Sequence, residues 1–204
     1  MSIICKRRNM TVPNESSYYI MCVKNGDIDA LGELYKRHKI QVYRTALAIT
    51  HDAGMAEDIL QETFVRIYKY ADSFDQTQPF EPWLYRMTVN LTYSWLNRTK
   101  RWAHFFQGAF ERLKIPEHRN PEAAMENQEQ RTNLQWAIGC LPDSQRAVIV
   151  LYYLEDLSVS EIAYALDIAE GTVKSRLYHA RKKLKKAIAD RGHEVLSEVV
   201  YEIL

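Results

Sequence analysis

Apolar residues recur at helical spacing along most of the chain. After Asp27 the apolar positions fall three and four residues apart, and a second such stretch runs from Asp52 to Tyr70. This period places apolar side chains on one face of an amphipathic helix, and an aspartate at the start can cap the first turn. The pattern predicts two long helices. The inner face of the second is predicted to contain Ile59, Leu60, Thr63, Phe64 and Ile67.

A third apolar stripe follows a loop. The segment Asp75–Pro82 contains two prolines, and helical spacing resumes from about Trp83 to Trp102. The stripe of this third helix is Leu84, Met87, Leu91 and Trp95. Long helices joined by short connections favour a bundle, so we expect residues 16–103 to form a first domain of three to four helices.

The last third of the chain has the pattern of a helix-turn-helix. The apolar run Ala147–Leu154 fits a buried strand or a buried helix, and we predict a helix because no partner strand is evident elsewhere. Ser158 and Glu161 form a capping box before a short helix, and Asp167–Gly171 is the predicted turn, its glycine supplying backbone freedom. A second helix is predicted over Thr172–Ala189. Its inward face is predicted to be Val173, Leu177, Ala180, Leu184 and Ile188.

The remaining segments are predicted as ends and connections. We expect residues 1–15 to be a disordered basic leader and residues 104–120 to be a partly structured linker. Asn120 and Pro121 resemble an N-cap and a first helical residue, so the second domain is expected over 121–189. Residues 190–204 are expected to form a helical extension. The predicted fold is therefore all-α, with two helical domains joined by a linker.

Composition excludes several classes of protein. The 204 residues are 47% hydrophobic and 26% charged, which is ordinary globular usage, and the net charge of +1 indicates no particular partner. The three cysteines form no CxxC pair and the six histidines form no ligand cluster, so neither a disulfide framework nor a metal site is predicted. We expect no cofactor and no enzymatic activity. Without a secretory signal or a membrane-spanning apolar run, a cytoplasmic protein is expected.

The basic residues are concentrated in two segments that contain no acidic residue. Gly171–Lys186 holds seven Lys and Arg residues, and Trp83–Ala103 holds four, interleaved with aromatic rings. Two such segments are typical of a polyanion-binding protein, although two solvated helix faces would explain the charge equally well. The segment Gly171–Lys186 lies on the second helix of the predicted helix-turn-helix. DNA binding is therefore favoured for this segment.

Five motifs occur in a characteristic order. They are Ala56–Phe64, Trp83–Asn90, Leu141–Pro142, Glu161–Ala163 and Gly171–Arg176. With these motifs the chain resembles the extracytoplasmic-function (ECF, group 4) RNA polymerase sigma factors from about Asp27 to Lys186.

The resemblance implies a bacterial transcription initiation factor that binds core RNA polymerase, directs it to promoters through the −10 and −35 elements, and assists promoter melting. It also implies that the first domain is sigma region 2, that the second is region 4, and that an anti-sigma factor restrains the protein.

The resemblance assigns roles to three sets of residues. The face that docks on core polymerase would be Asp58, Gln61, Glu62 and Val65, which share one side of a helix. The residues facing the −35 element would be Thr172, Lys174, Ser175, Arg176, His179 and Arg181. Arg176 and Lys174 are the best candidates for DNA contact, whereas His179 stands where relatives often carry arginine, a stronger partner.

The residues facing the −10 element would lie around the loop before the third helix. They would be Phe74, Phe80, Trp83, Tyr85, Asn90, Arg98, Lys100 and Arg101. Rings there could stack on an unpaired base, although a core role is an alternative for any one of them. The three basic residues could bind phosphates or could stabilise the end of the helix.

A second interpretation comes from another functional class. A two-domain helix-turn-helix repressor or activator would also place basic helices on duplex DNA, without any polymerase. The polar face containing Asp58, Gln61 and Glu62 distinguishes the two, since a repressor has no need of it.

Overall fold

The computed structural model describes residues 15–107 and 136–190. The first range contains helices α1 (Glu15–Lys24), α2 (Ile28–Thr50), α3 (Ala53–Tyr70) and α4 (Phe80–Gln107). The second contains α5 (Asp143–Ile149), α6 (Val159–Leu166) and α7 (Glu170–Asp190). A 3-10 turn, Ala71–Ser73, follows α3, and a π-helical segment, Val150–Leu154, continues α5. All regular structure in these two ranges is helical, which confirms the all-α prediction.

Side-chain caps are present at three of the predicted helix starts. The Asp27 carboxylate accepts hydrogen bonds from the main-chain N–H groups of Asp29 and Ala30. The Asp52 carboxylate accepts one from Met55 at 2.8 Å. Ser158 and Glu161 form the reciprocal capping box before α6. These bonds satisfy donors that have no partner within the first turn of a helix, so the local sequence determines where each helix begins.

Helices α1 to α4 form a four-helix bundle. Helix α2 packs against each of the other three, and α3 packs against α4. The inner face predicted for α3 is buried apart from the half-buried Leu60. The bundle interior is completed by residues from all four helices, which include Ile20, Cys22, Leu34, Val42, Ile59, Phe64, Ile67, Leu84 and Leu91.

Three predicted boundaries differ from the structure. Helix α4 begins at Phe80, inside the predicted loop, because proline is tolerated in a first helical turn and Pro82 lies there. The same helix continues to Gln107 and so enters the predicted linker 104–120. In the predicted turn Asp167 adopts the left-handed conformation, with φ of 55°, while Gly171 lies within α7.

Several predicted segments lie outside the described residues. They are residues 1–14 of the leader, residues 108–120 of the linker, the start of the helix predicted after Asn120, and the extension from residue 191 onward. Residues 136–139 are helical, and the chain turns at Cys140 before α5.

The N-terminal bundle and the helix-turn-helix share a buried core. Ile49 of α2 and Tyr85 and Val89 of α4 are buried in the same cluster as Leu141 and Leu151. Helix α6 packs along α4, and the π-helical segment packs against α2. The two halves of the chain are therefore in direct contact.

Candidate nucleic-acid interface

Helix α7 separates an apolar face from a basic face. Every residue predicted to point inward is buried, from Val173 to Ile188. Lys174, Ser175 and His179 are exposed on the opposite side, and Thr172 is half-buried near the start of the helix. The exposed side carries the acid-free basic sequence, so the helix presents positive charge to solvent, as a helix entering a DNA groove would.

One arginine of α7 has partners within the protein, and a second acts electrostatically on the N-terminal bundle. The Nε of Arg181 donates to the Tyr153 hydroxyl at 2.8 Å, and its guanidinium lies 5.6 Å from the centres of the Tyr152 and Tyr153 rings. Burial raises the pKa of Tyr93, on α4, to about 12, and the positive charge of Arg176 acts against this increase. The charge of Arg176 thus acts on a residue of the N-terminal bundle, and Arg176 and Arg181 are both half-buried.

The polar face of α3 is exposed. Asp58, Gln61 and Val65 are exposed, and Glu62 is half-buried with its carboxylate 3.0 Å from the Nε of Arg66. Val65, an apolar residue on this face, is 45% exposed. One side of the bundle thus presents acidic and polar side chains together with an exposed apolar residue, and protein interfaces combine such polar and apolar groups.

A shallow pocket lies between the end of α3 and the first half of α4. Its volume is about 220 Å³, and it is lined by Arg66, Tyr70, Ser73, Trp83, Arg86, Met87 and Asn90. Asn90 is exposed, and Tyr70 is 55% exposed. Farther along α4 the guanidinium of Arg98 stacks on Trp95 at 4.2 Å, and Arg101 is exposed. The pocket offers an aromatic ring, an amide and two guanidinium groups, which are the groups that hold an unstacked base.

Comparisons with known proteins identify the family. The sigma-70 region 2 model matches residues 34–102, and the sigma-70 region 4 model matches residues 131–184. The chain is 35% identical over 176 residues to the ECF RNA polymerase sigma factor SigW of Bacillus subtilis, covering 82% of this chain and 94% of SigW. The chain is an ECF sigma factor. It is also 32% identical over 162 residues to SigM of the same organism, covering 79% of this chain and 96% of SigM.

Two solved structures share the fold. CnrH, solved in complex with the cytosolic domain of CnrY, matches with a TM-score of 0.64 and 23% identity, covering 87% of this chain and 98% of CnrH. RpoE of Bartonella quintana, solved with the anti-sigma factor NepR, matches with a TM-score of 0.62 and 23% identity. The match covers 78% of this chain and 96% of RpoE. At this identity the similarity concerns the fold.

As an ECF sigma factor, the protein acts in transcription initiation. It binds core RNA polymerase and directs the polymerase to promoter DNA, and it is not a classical enzyme. In residues 15–107 and 136–190, His, Cys, Asp and Glu side chains form no group of three that could hold a metal ion. Each helix described in this sigma factor is too short or too polar to cross a membrane.

The structure places the four predicted stacking rings in the core. Phe74, Phe80, Trp83 and Tyr85 are each 5% exposed or less. The first three pack edge-on or tilted against one another, with centroids 5.3 to 6.1 Å apart. In this conformation they support the helix start of α4 rather than offer faces to a base, and only Trp83 also lines the pocket.

Sequence reasoning missed several residues of these surfaces. Tyr178 is 64% exposed on α7 and contacts His179 edge-on at 5.3 Å, beside the basic residues. Arg66, Tyr70 and Arg86 line the pocket of this sigma factor. The sequence does contain a signal for Tyr178, because this aromatic residue falls on the polar side of a basic amphipathic helix. The pocket residues gave no such signal, because two helices supply them.

Proposed function

We propose that residues 16–103 are the domain that binds core polymerase and the −10 element, and that residues 121–189 are the domain that binds the −35 element. The observation that carries this assignment is the presence of two exposed surfaces of opposite character, the acidic face of α3 and the basic face of α7. One suits a protein partner with basic patches, and the other suits duplex DNA. Residues 104–120, at the end of α4 and beyond, would connect the two domains.

For the −35 element we propose a reading surface on α7. Lys174, Ser175 and His179 would face the DNA, together with Thr172 at the start of the helix. Arg176 would contact a base edge, where a guanidinium gives about 1–3 kcal/mol of discrimination. Arg181 is already bonded to Tyr153, so it would contribute a phosphate contact that positions the helix.

For the −10 element we propose the pocket beside α4. Asn90 is exposed at its edge, and an amide can pair with the Watson–Crick edge of an unstacked base. Trp83 would support the pocket, with Phe74 and Phe80 packed against its ring, whereas Tyr85 lies outside the pocket and its hydroxyl donates to Glu155. The basic residues Arg98, Lys100 and Arg101 would bind the phosphates of the strand that leaves the pocket.

For the polymerase we propose docking through Asp58, Gln61, Glu62 and Val65, with Val65 as the exposed apolar contact. An anti-sigma factor is a further expected partner, since the solved relative RpoE is in complex with the anti-sigma factor NepR. The protein would act in the cytoplasm, where core polymerase and promoter DNA are found.

Run-off transcription tests this assignment. Purified protein is added to core RNA polymerase with a library of templates that carry randomised −10 and −35 segments, and the transcribed templates are sequenced. We expect two enriched sequence elements, and enrichment that requires both the protein and the core enzyme. Sequence-selective DNA binding without polymerase-dependent initiation would instead support the repressor alternative.

A further inference from the structure

The C-terminal end of α7 carries positive charge that no described carboxylate balances. Lys182, Lys183 and Lys186 are exposed there, and none of them has an ion pair within residues 15–107 and 136–190. Nearer the start of the helix, by contrast, Lys174 pairs with Glu170 at 4.0 Å. We call the three exposed lysines the basic end of α7.

The apolar side of α7 is buried up to the end of the helix. Leu184 and Ile188 are each 3% exposed and belong to the same buried cluster as Leu151. Among residues 136–190, the large hydrophobic side chains exposed to solvent are Trp136 and Tyr178. A segment that follows α7 therefore meets a helix whose apolar face is occupied and whose basic face is open.

The sequence that follows α7 is acidic. Residues 191–204, which lie outside the described residues, contain three glutamates and a single Lys or Arg residue, Arg191. The glutamates recur every four residues, so on the helix predicted for this segment they form one acidic ridge. They are Glu194, Glu198 and Glu202. The match to the sigma-70 region 4 model ends at residue 184, so the acidic segment lies beyond it.

A reversal of the chain after α7 would bring the acidic ridge onto the basic end. Helix α7 ends at Asp190, and Gly192 supplies the backbone freedom that a tight reversal requires. In a helix that runs back along α7, Glu198 falls beside Lys186 and Glu202 beside Lys182, because both helices rise about 1.5 Å per residue. A segment ending at residue 204 would be about 16 Å long and would cover the basic end without reaching Lys174.

The apolar residues of the segment occupy another side of the predicted helix. At 3.6 residues per turn their centre lies about 150° around the helix from the acidic ridge. They are Leu196, Val199, Val200 and Ile203. Because the apolar face of α7 is already buried, the surface that the segment meets first is basic, and charge complementarity favours the acidic ridge.

We propose that residues 191–204 dock through their acidic ridge on the basic end of α7 and compete there with the phosphates of DNA. The contact weakens sequence-independent binding of the free protein to duplex DNA. It leaves Lys174 and Ser175, at the base-facing end of the helix, uncovered. The inference rests on the proposed assignment of α7 to DNA.

Duplex binding by the full chain tests the proposal. The variant carries Glu194→Gln, Glu198→Gln and Glu202→Gln, which remove three charges and retain side-chain length and helix propensity. The probe is a labelled duplex of arbitrary sequence, and fluorescence anisotropy reports its binding at increasing salt. We expect the variant to bind about five- to tenfold more tightly than the unsubstituted chain at about 50 mM salt. The difference should shrink as salt is raised, because exposed ion pairs are screened.

A second triple variant is the matched control. Asp29→Asn, Glu57→Gln and Asp72→Asn make the same change in net charge at three exposed side chains of the N-terminal bundle. We expect this control to bind the duplex within about twofold of the unsubstituted chain, because charges far from the contact are screened. Equal gains in the two triple variants, or no gain in the glutamine variant, would overturn the proposal.

Zero-length cross-linking locates the contact. A carbodiimide joins a carboxylate to an amine that touches it, and mass spectrometry identifies the joined residues. We expect Glu198 joined to Lys186 and Glu202 joined to Lys182, and both products should disappear when excess duplex DNA is added. Products that persist unchanged with DNA would contradict competition for the same surface.

Two further measurements separate the alternatives. If Val199→Ser with Ile203→Ser lowers the urea midpoint, and the glutamine variant binds DNA like the unsubstituted chain, the segment covers the domain with its apolar side and the proposal is wrong. Run-off transcription with the same samples tests the proposed function by itself. Selective initiation by proteins of equal duplex affinity overturns only the competition, whereas absence of initiation from every sample contradicts the proposed function.

Discussion

The guanidinium of Arg146 donates a hydrogen bond to the main-chain carbonyl of Ile49, in the last turn of α2, across 97 residues of sequence. Three of its other N–H groups donate to the carbonyls of Ile138, Gly139 and Leu141 at 2.8 to 3.2 Å. Carbonyls at helix C-termini have no partner within their own helix. One buried side chain therefore supplies donors to carbonyls at the ends of two helices in different halves of the molecule, and burial lowers the pKa of Arg146.

Replacing Arg146 by lysine should destabilise the fold. An ammonium group has three donors at one point and cannot span four carbonyls, so several buried acceptors would lose their partners. We expect Arg146→Lys to lower the free energy of unfolding by about 3 kcal/mol or more, measured by urea denaturation. Arg101→Lys, at an exposed position, should change it by less than about 0.5 kcal/mol. Equal stability of the two variants would contradict this role for Arg146.

The local features of the fold were predictable from the sequence. The helical period of apolar residues predicted the inner face of α7. Asp27, Asp52 and the Ser158 capping box predicted where three helices begin. Both kinds of feature depend only on residues a few positions apart. The interface between domains was not predictable. Glu155 is a polar residue whose burial depends on Tyr85, 70 residues earlier, and no short-range pattern encodes that pairing.

For the candidate surfaces, too, the sequence predicted the features of single helices but not those that depend on packing between helices. Exposed side chains on one helix, such as Asp58 and Lys174, follow from spacing together with the family resemblance. The rings of Phe74 and Phe80 pack into the bundle, because a helix that begins at Phe80 turns that ring toward His38 and Trp83. An aromatic residue near a motif fits both a stacking platform and a core, and only the packing of three helices decides between them.

Stability should fall as the pH drops below neutrality because of His38. Its Nδ1 hydrogen bonds to the Gln41 side-chain oxygen and its Nε2 to the Ser16 hydroxyl, both at 2.8 Å, and burial lowers its pKa below the usual 6.5. The unfolded chain takes up a proton near pH 6.5 while the folded chain resists it. The associated stability is thus present above that pH and is lost as the pH falls toward the lower pKa of the folded state.

We expect the urea midpoint to decrease between pH 7.5 and pH 5.5, and to decrease less in His38→Gln. A glutamine cannot titrate, and it retains hydrogen-bonding capacity beside Ser16. Burial also lowers the pKa of His51, so part of the decrease should remain in the variant. An identical pH dependence in both proteins would show that His38 titrates alike in the folded and unfolded chains.

The double variant Asp58→Arg with Gln61→Ala should abolish binding to core polymerase. Both residues are exposed on α3 and contribute little to the bundle, so far-ultraviolet circular dichroism should be unchanged. Reversal of charge at a complementary interface typically costs several kcal/mol. The measurement is co-purification of the tagged protein with core enzyme.

Asp72→Arg is the control for that experiment. It makes the same charge change at a side chain that is 86% exposed and paired only weakly, at 4.0 Å, with Lys24. We expect this variant to co-purify with core enzyme at the yield of the unsubstituted protein. If Asp72→Arg and the double variant lost binding equally, net charge rather than the α3 face would govern docking.

Arg176→Ala should weaken recognition of the −35 element by about 1–3 kcal/mol, as expected for one base-edge pair. The measurement is competition among promoters that differ at single −35 positions, with holoenzyme assembled from each variant. Discrimination between bases should be relaxed at one position of the −35 element and retained at the other positions. Lys182→Ala, an exposed basic residue on the same helix, should reduce binding to all sequences alike and lower the salt dependence by about one counterion. A uniform loss with Arg176→Ala would place that guanidinium on a phosphate instead.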